Sequence, residues 1–174
     1  MARVKYVDLA DKEALNIRRA LANSTGAGVA HTALAMAIRN KCKLDPRLRE
    51  LAILQVGYAT RCVYEWVHHC EIAPHFGVSE DDINAIADDS AGKATKLDPL
   101  ARTVLRAARE MTTDCAISDA TFAALKEKLG DEEIADLVIA VGVYNSTVRV
   151  LESLKVDLEP EYRRFLDVHP LPPR

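Results

Sequence analysis

The run Cys62, Val63, Tyr64, Glu65, Trp66, Val67, His68, His69, Cys70 puts thiols, a carboxylate and imidazoles close together in the chain. Wound as an α-helix at about 100° per residue, it would gather Cys62, Glu65, Trp66, His69 and Ala73 within an arc of roughly 100°. One face would then hold a nucleophile, an acid and a base. Glu65 and His69 stand at i and i+4, the spacing at which a carboxylate can orient and charge-stabilise an imidazole. Solvated helix faces use the same spacing for ordinary ion pairs, and it is Trp66 and Ala73 on the same arc that argue for a sheltered face. Cys62, beside Arg61 at a helix start, would have its thiolate favoured by free amides and a cation. A small buried hydrophobe is the other reading of a free cysteine.

Glu50 shares a helix face with Ile53, Leu54 and Gly57. Burial there would raise its carboxyl pKa and leave it in need of a partner, either Arg47 three residues earlier or the Cys62 face. Gly57 would let a neighbouring helix come close enough to bring that face to Glu50. His68, His69 and His75 with Cys70 also invite a metal reading. Glu65 and His68 form one Glu-x-x-His element, but di-iron bundles need a second copy on another helix. A zinc site would need further ligands, and only His31 and His169 remain as imidazoles. No metal or other cofactor is expected, and His68 and His75 read as surface residues.

The elements that must position these groups are helical, and strand-like alternation is nowhere sustained. The spacing predicts an all-α single domain. Helices are expected over Asp11 to Ala22 and Val29 to Asn40, as an amino-terminal layer spanning residues 1–44. Asp45 before Pro46 is a start signal for a helix to Thr60, because Asp accepts from free amides and Pro at the first position wastes no donor. That helix is apolar nearly all round from Leu51 to Ala59, the mark of burial on several sides. The chemical segment follows and stops near Gly77. Ser79 with Asp82 opens a short helix, residues 88–96 form a loop, Asp98 with Pro99 starts a helix to about Met111, and Ser118 caps one to Leu129. Residues 131–154 form the last long helix, apolar around Leu137 to Tyr144, which should pack beside the Pro46 helix or in a subunit interface. The core is thus residues 45–158. The tail, residues 159–174 with Pro170, Pro172 and Pro173, is expected to be extended on the surface. Residues 50–58 (ELAILQVGY) faintly echo residues 136–144 (DLVIAVGVY).

At 174 residues, 49% hydrophobic and 28% charged, with a formal net charge of −3, the composition is that of one ordinary folded domain. No basic cluster offers a footprint for nucleic acid. No signal pattern opens the chain, and no run of about 20 apolar residues suggests a membrane span, so a cytoplasmic protein is expected. Cys42, Cys62, Cys70 and Cys115 are too few and too spread for a disulfide framework. Cys62 and Cys70 would lie about 12 Å apart along a helix, beyond disulfide reach.

Glu50, Cys62, the Tyr64, Glu65, Trp66 triplet, His69, Ala73 and Gly77 stand in the order and spacing of the carboxymuconolactone decarboxylase superfamily, which includes the alkyl hydroperoxidase D (AhpD) proteins. The runs LDPRLRELAIL and GVSEDDINAI on either side resemble it too. The resemblance implies an AhpD-like helical bundle that assembles as trimers or hexamers, with the site near a subunit boundary. In AhpD-type members a Cys-x-x-Cys, a His and a Glu serve a thiol peroxidase through a proton relay. Carried over, these positions are Cys62, Glu65 in place of the second Cys, His69 and Glu50. Without a local resolving thiol, an oxidised Cys62 would need an outside thiol or another subunit.

Three functions follow as expectations. The first is general acid/base chemistry, decarboxylation or a related proton transfer, on a small organic acid or lactone. In it His69 is the acid/base, Glu65 its orienter, Glu50 a second proton carrier and Cys62 a donor or nucleophile, with Trp66 and Tyr144 binding substrate. The second is a one-cysteine hydroperoxidase with Cys62 as peroxidatic thiol and an external thiol reductant. The third is a non-catalytic helical interaction protein.

Overall fold

A computed structural model describes residues 1–172; Pro173 of the expected tail lies outside the described residues. Nine α-helices are described and no strands: α1 (Asn16–Leu21), α2 (Ala27–Lys41), α3 (Pro46–Thr60), α4 (Val63–Ile72), α5 (Glu80–Ser90), α6 (Pro99–Thr113), α7 (Asp119–Lys126), α8 (Asp131–Leu154) and α9 (Arg164–Val168). Local chemistry sets most starts. Asp45 accepts from Leu48 N at 3.1 Å and Asp98 from Ala101 N at 2.8 Å, while Ser79 and Asp82 exchange bonds of 3.1 Å in a full capping box. Each such cap is worth about 1 kcal/mol.

α3 is the axis of the fold. Every residue from Leu48 to Gly57 is buried, and α6, α8 and α4 pack around it, as its all-round apolar sequence requires. Gly57 is the closest crossing: a Cβ there would stand 3.2 Å from Trp66 N and 3.3 Å from Trp66 Cα. The absent side chain lets the α4 backbone settle against α3. After α4, Pro74 tightens the chain into a 3₁₀ turn (Ala73–Phe76), and Gly77 ends it at φ 89°.

Four sequence expectations are corrected. The first helix begins at Asn16, not Asp11, because Asp11 spends its oxygens on Glu13 N and Arg18 in a local turn. The start of α1 is held from the far end of the chain, where Glu159 Oε1 accepts from Asn16 N at 2.7 Å. The tail is not extended: Pro160 opens a 3₁₀ turn, α9 follows, and His169 is buried, its carbonyl accepting from Trp66 Nε1 at 2.7 Å. α7 stops at Lys126, short of Leu129. Finally, α8 has the length and a mean hydropathy of 1.5 that could cross a membrane. It meets that measure by length and composition only, because its core stripe is apolar and Val138 and Ile139 on the other side are apolar too.

Candidate active site

α3 supplies Glu50 from its second turn, and α4, brought close by Gly57, supplies Glu65 and His69. All three are nearly inaccessible, at 1%, 5% and 4% exposure. His69 Nδ1 donates to Glu50 Oε2 at 2.7 Å and Nε2 to Glu65 Oε1 at 2.9 Å. Both ring nitrogens are therefore spent on carboxylates, an arrangement only the imidazolium satisfies as a double donor. Behind Glu50 stands Arg49, itself buried, whose Nε and Nη2 donate to Glu50 Oε1 at 3.1 and 3.0 Å and whose guanidinium lies over the Phe76 ring at 4.7 Å. Four alternating charges thus run Arg49, Glu50, His69, Glu65.

Burial pulls the His69 pKa down, but Glu50 and Glu65 outweigh it and hold the imidazolium up to about 9. Burial likewise pushes Glu50 up, and the His69 and Arg49 charges overcome it, leaving its carboxyl below the usual range. The sequence expectation of a raised Glu50 pKa is overturned because burial comes with two cationic partners. Its expected partner Arg47 turns outward instead, to Asp82 and Asp98.

Glu65 and His69 form part of the wall of a cavity of about 140 Å³. Tyr144 of α8 stands edge-on to the His69 ring at 5.1 Å and lines the same cavity. Burial, then the Glu65 and Glu50 charges, push its phenol pKa up, so it remains a neutral hydrogen-bond donor. The opposite wall comes from α1 and α2, including Ile17, Leu21, His31, Met36 and Arg39. The amino-terminal layer is therefore the roof of the site.

The structure brings together Glu50, Glu65, His69 and Tyr144, and leaves Cys62 and Trp66 elsewhere. Cys62 is the N-cap of α4 with extended backbone (φ −80°, ψ 101°), so it leaves the helical arc that would have aligned it with Glu65 and does not line the cavity. Its thiol is fully buried. Burial pushes it up to about 12, with the Glu65 and Glu152 charges adding to the effect and the Glu65 backbone N–H only partly offsetting it. The expected activation by Arg61 fails because Arg61 is exposed and in the left-handed region. Trp66 faces away from the cavity and packs on Tyr58 at 5.6 Å, in a separate depression shared with Asn84 and His169.

His68 is no surface residue. It is buried between the rings of Tyr64 and Tyr162, and its Nε2 meets Glu159 Oε2 at 2.9 Å. His75 is exposed, and among the described residues no group of His, Cys, Asp or Glu converges as a metal site. Arg49 and the cavity residues Arg39 and Thr147 were missed in sequence, and His31 was noted only as a stray imidazole; no local spacing pointed to them.

Residues 29–110 match the Carboxymuconolactone decarboxylase family. No curated protein matches the chain significantly in sequence. Solved structures share the fold. An uncharacterised peroxidase-related protein with an AhpD core, from Ralstonia eutropha JMP134, is 22% identical with a TM-score of 0.70, covering 87% of this chain and 79% of its own. A protein of unknown function from Agrobacterium tumefaciens, described as a putative antioxidant defence protein AhpD, is 20% identical with a TM-score of 0.75, covering 91% and 99%. The debrominase Bmp8, solved as an alanine variant with 2,3,4-tribromopyrrole, is 17% identical with a TM-score of 0.77, covering 88% and 81%.

Proposed function

Since residues 29–110 match the Carboxymuconolactone decarboxylase family, we propose that the chain performs general acid/base chemistry, a decarboxylation or related proton transfer, on a small organic acid or lactone. The observation that carries this reading is the imidazolium of His69 held between Glu50 and Glu65 beside a cavity of about 140 Å³.

His69 is the proton store. With its pKa near 9 it is charged at neutral pH, and Glu50, backed by Arg49, keeps it so. Because Nε2 is spent on Glu65, the group that meets substrate is Glu65, which differs from the orienting role its spacing suggests. When a carbon–carbon bond breaks and carbon dioxide leaves with the carboxylate, the bonding pair stays on carbon. Glu65, a carboxylate at rest, takes the Nε2 proton of His69 as it passes a proton on to that carbon, and His69 becomes neutral and is recharged from solvent. Tyr144, a neutral donor, is placed to steady the enolate oxygen of a β-keto acid. Positioned acid/base groups of this kind contribute about 10² to 10⁴ in rate.

The buried, strongly protonated Cys62 argues against the one-cysteine peroxidase, since the thiolate is the nucleophile. The test is carbon dioxide release from a panel of small β-keto acids and ring carboxylates, run beside thiol-dependent hydroperoxide consumption. Glu65→Gln and His69→Ala should lose about 10² to 10⁴ of the rate, and Cys62→Ser should keep most of it. A dead Cys62→Ser with hydroperoxide turnover in the wild type would reverse the assignment.

Assembly into a homo-oligomer is part of the same proposal. Val29, Leu34 and Met36 on α2 and Val138 and Ile139 on α8 are exposed, an apolar surface that a second copy would cover.

A further inference from the structure

The arginines around the site follow a pattern with one departure. Arg18, on the cavity rim, pairs with Asp11 at 3.0 Å; Arg49 is committed to Glu50 at 3.0 Å; Arg47, farther out, holds Asp82 and Asp98. Arg39, near the end of α2, lines the cavity half-buried, and among the described residues no carboxylate pairs with its guanidinium. Its backbone is fixed, because the Arg39 carbonyl accepts from Arg49 Nη1 at 3.1 Å. Its charge is also felt at the Tyr144 phenol, the same group that senses Glu65 and Glu50. Arg39 and the acidic pair thus both act on Tyr144.

Charge decides what such a cavity prefers. Of the cavity-lining charges, Arg18, Glu65 and His69 each have an opposite partner, so the guanidinium of Arg39 is the one left unmatched among the described residues. Leu15, Ile17, Leu21 and Met36 give the wall an apolar stretch. A volume of about 140 Å³ is close to the roughly 150 Å³ apolar cavity that accepts benzene.

We propose that Arg39 is a specificity-determining residue that anchors the carboxylate of a small acid with an apolar ring or short chain, and so turns the rest of the molecule toward Glu65. Guanidinium and carboxylate match as a planar two-pronged pair, which fixes orientation as well as affinity. The proposal deepens the acid/base reading and rests on it for the catalytic end of the molecule, but the carboxylate anchor can be measured by binding alone.

The experiment is calorimetric titration of the full chain with benzoate and with benzamide, its neutral counterpart. The wild type should bind benzoate roughly tenfold to a hundredfold more tightly, the range expected of a charge-assisted contact. Arg39→Gln should remove that preference without changing benzamide binding, and Arg39→Lys should restore part of it. No benzoate binding at millimolar concentration, equal affinity for benzamide, or unchanged preference in Arg39→Gln would each overturn the anchor. The comparison of two ligands on the wild type stands even if a variant fails to fold. Selective benzoate binding in a protein that releases no carbon dioxide would keep Arg39 and sink the catalytic reading instead.

Discussion

Replacing Glu50 with Gln strikes the centre of the charge chain. Glu50 Oε1 takes Arg49, Oε2 takes His69, and these partners are 2% and 4% exposed. A Gln side chain keeps one acceptor and turns an NH₂ toward the other partner, so one buried cation faces a donor. Breaking a buried pair from one side costs about 3–5 kcal/mol, and because Gln keeps one hydrogen bond the lower end, about 3 kcal/mol, is expected. In a domain of this size that lowers Tm by about 6–12 °C. The dependence on pH distinguishes lost charge from a packing fault. The His69 pKa is raised from 6.5 to about 9 on folding, so its contribution is complete below pH 6.5 and is lost as pH rises toward 9. The Glu50 pKa is lowered from 4.5, so its contribution is present above pH 4.5 and is lost as pH falls below that. The gap between wild type and Glu50→Gln should therefore be widest between pH 4.5 and 6.5. It should narrow as pH rises from 6.5 toward 9, where the wild type loses the part of the His69 stabilisation that Glu50 supplies, while the share held by Glu65 and the cost of the unpaired Arg49 remain. Urea unfolding of both proteins across this range, with an NMR titration of the His69 ring, measures both quantities. Two stability curves separated by a constant offset, or a His69 ring in the variant still titrating near 9, would refute the account.

Two further outcomes concern the thiols and the surface. With iodoacetamide on the folded protein, exposed Cys115 should be alkylated first, and Cys62 and Cys70, both pushed up to about 12 by burial, should react only once urea unfolds the chain; labelling of Cys62 at the rate of Cys115 would contradict its burial. Light scattering should give a mass several times 19.2 kDa, and Ile139→Glu should dissociate the assembly, because it sets a charge in the apolar α8 face; a wild-type monomer at micromolar concentration would count against that interface.

What the sequence reveals of this site depends on distance along the chain. The start of α3 is legible because Asp45, Pro46 and the Leu48 amide lie within four residues, and the Glu65–His69 contact is legible because i,i+4 geometry is local. The meeting of Glu50 with His69 spans 19 residues, yet it too leaves a trace, in the glycine at 57 where α4 must come close. Arg49 leaves almost none. Residues at i and i+1 do not normally face one another on a helix, and the alternative, Arg47, has the better spacing. Arg49 reaches Glu50 because every position of α3 from Leu48 to Gly57 is enclosed, so its guanidinium has no water to turn to. His68 misleads for the complementary reason: its partner Glu159 lies 91 residues away, in a tail whose prolines suggest no structure.

Cys62 and Trp66 fail differently, through the helical wheel itself. A wheel assumes that every residue on it has helical backbone, and an N-cap does not. With ψ at 101°, Cys62 lies outside the rotation that relates Glu65 to His69, and its thiol is buried against the Glu65 backbone rather than on the cavity wall. Trp66 is on the wheel but one residue, about 100°, beyond Glu65. That turn carries its indole to the far side of α4, where it donates to the tail. An arc broad enough to include both neighbours of Glu65 was too broad to mark one cavity wall. The residues that α4 does present there are those on the true i,i+4 line, Glu65 and His69, and the acid/base reading rests on that pair without needing the thiol.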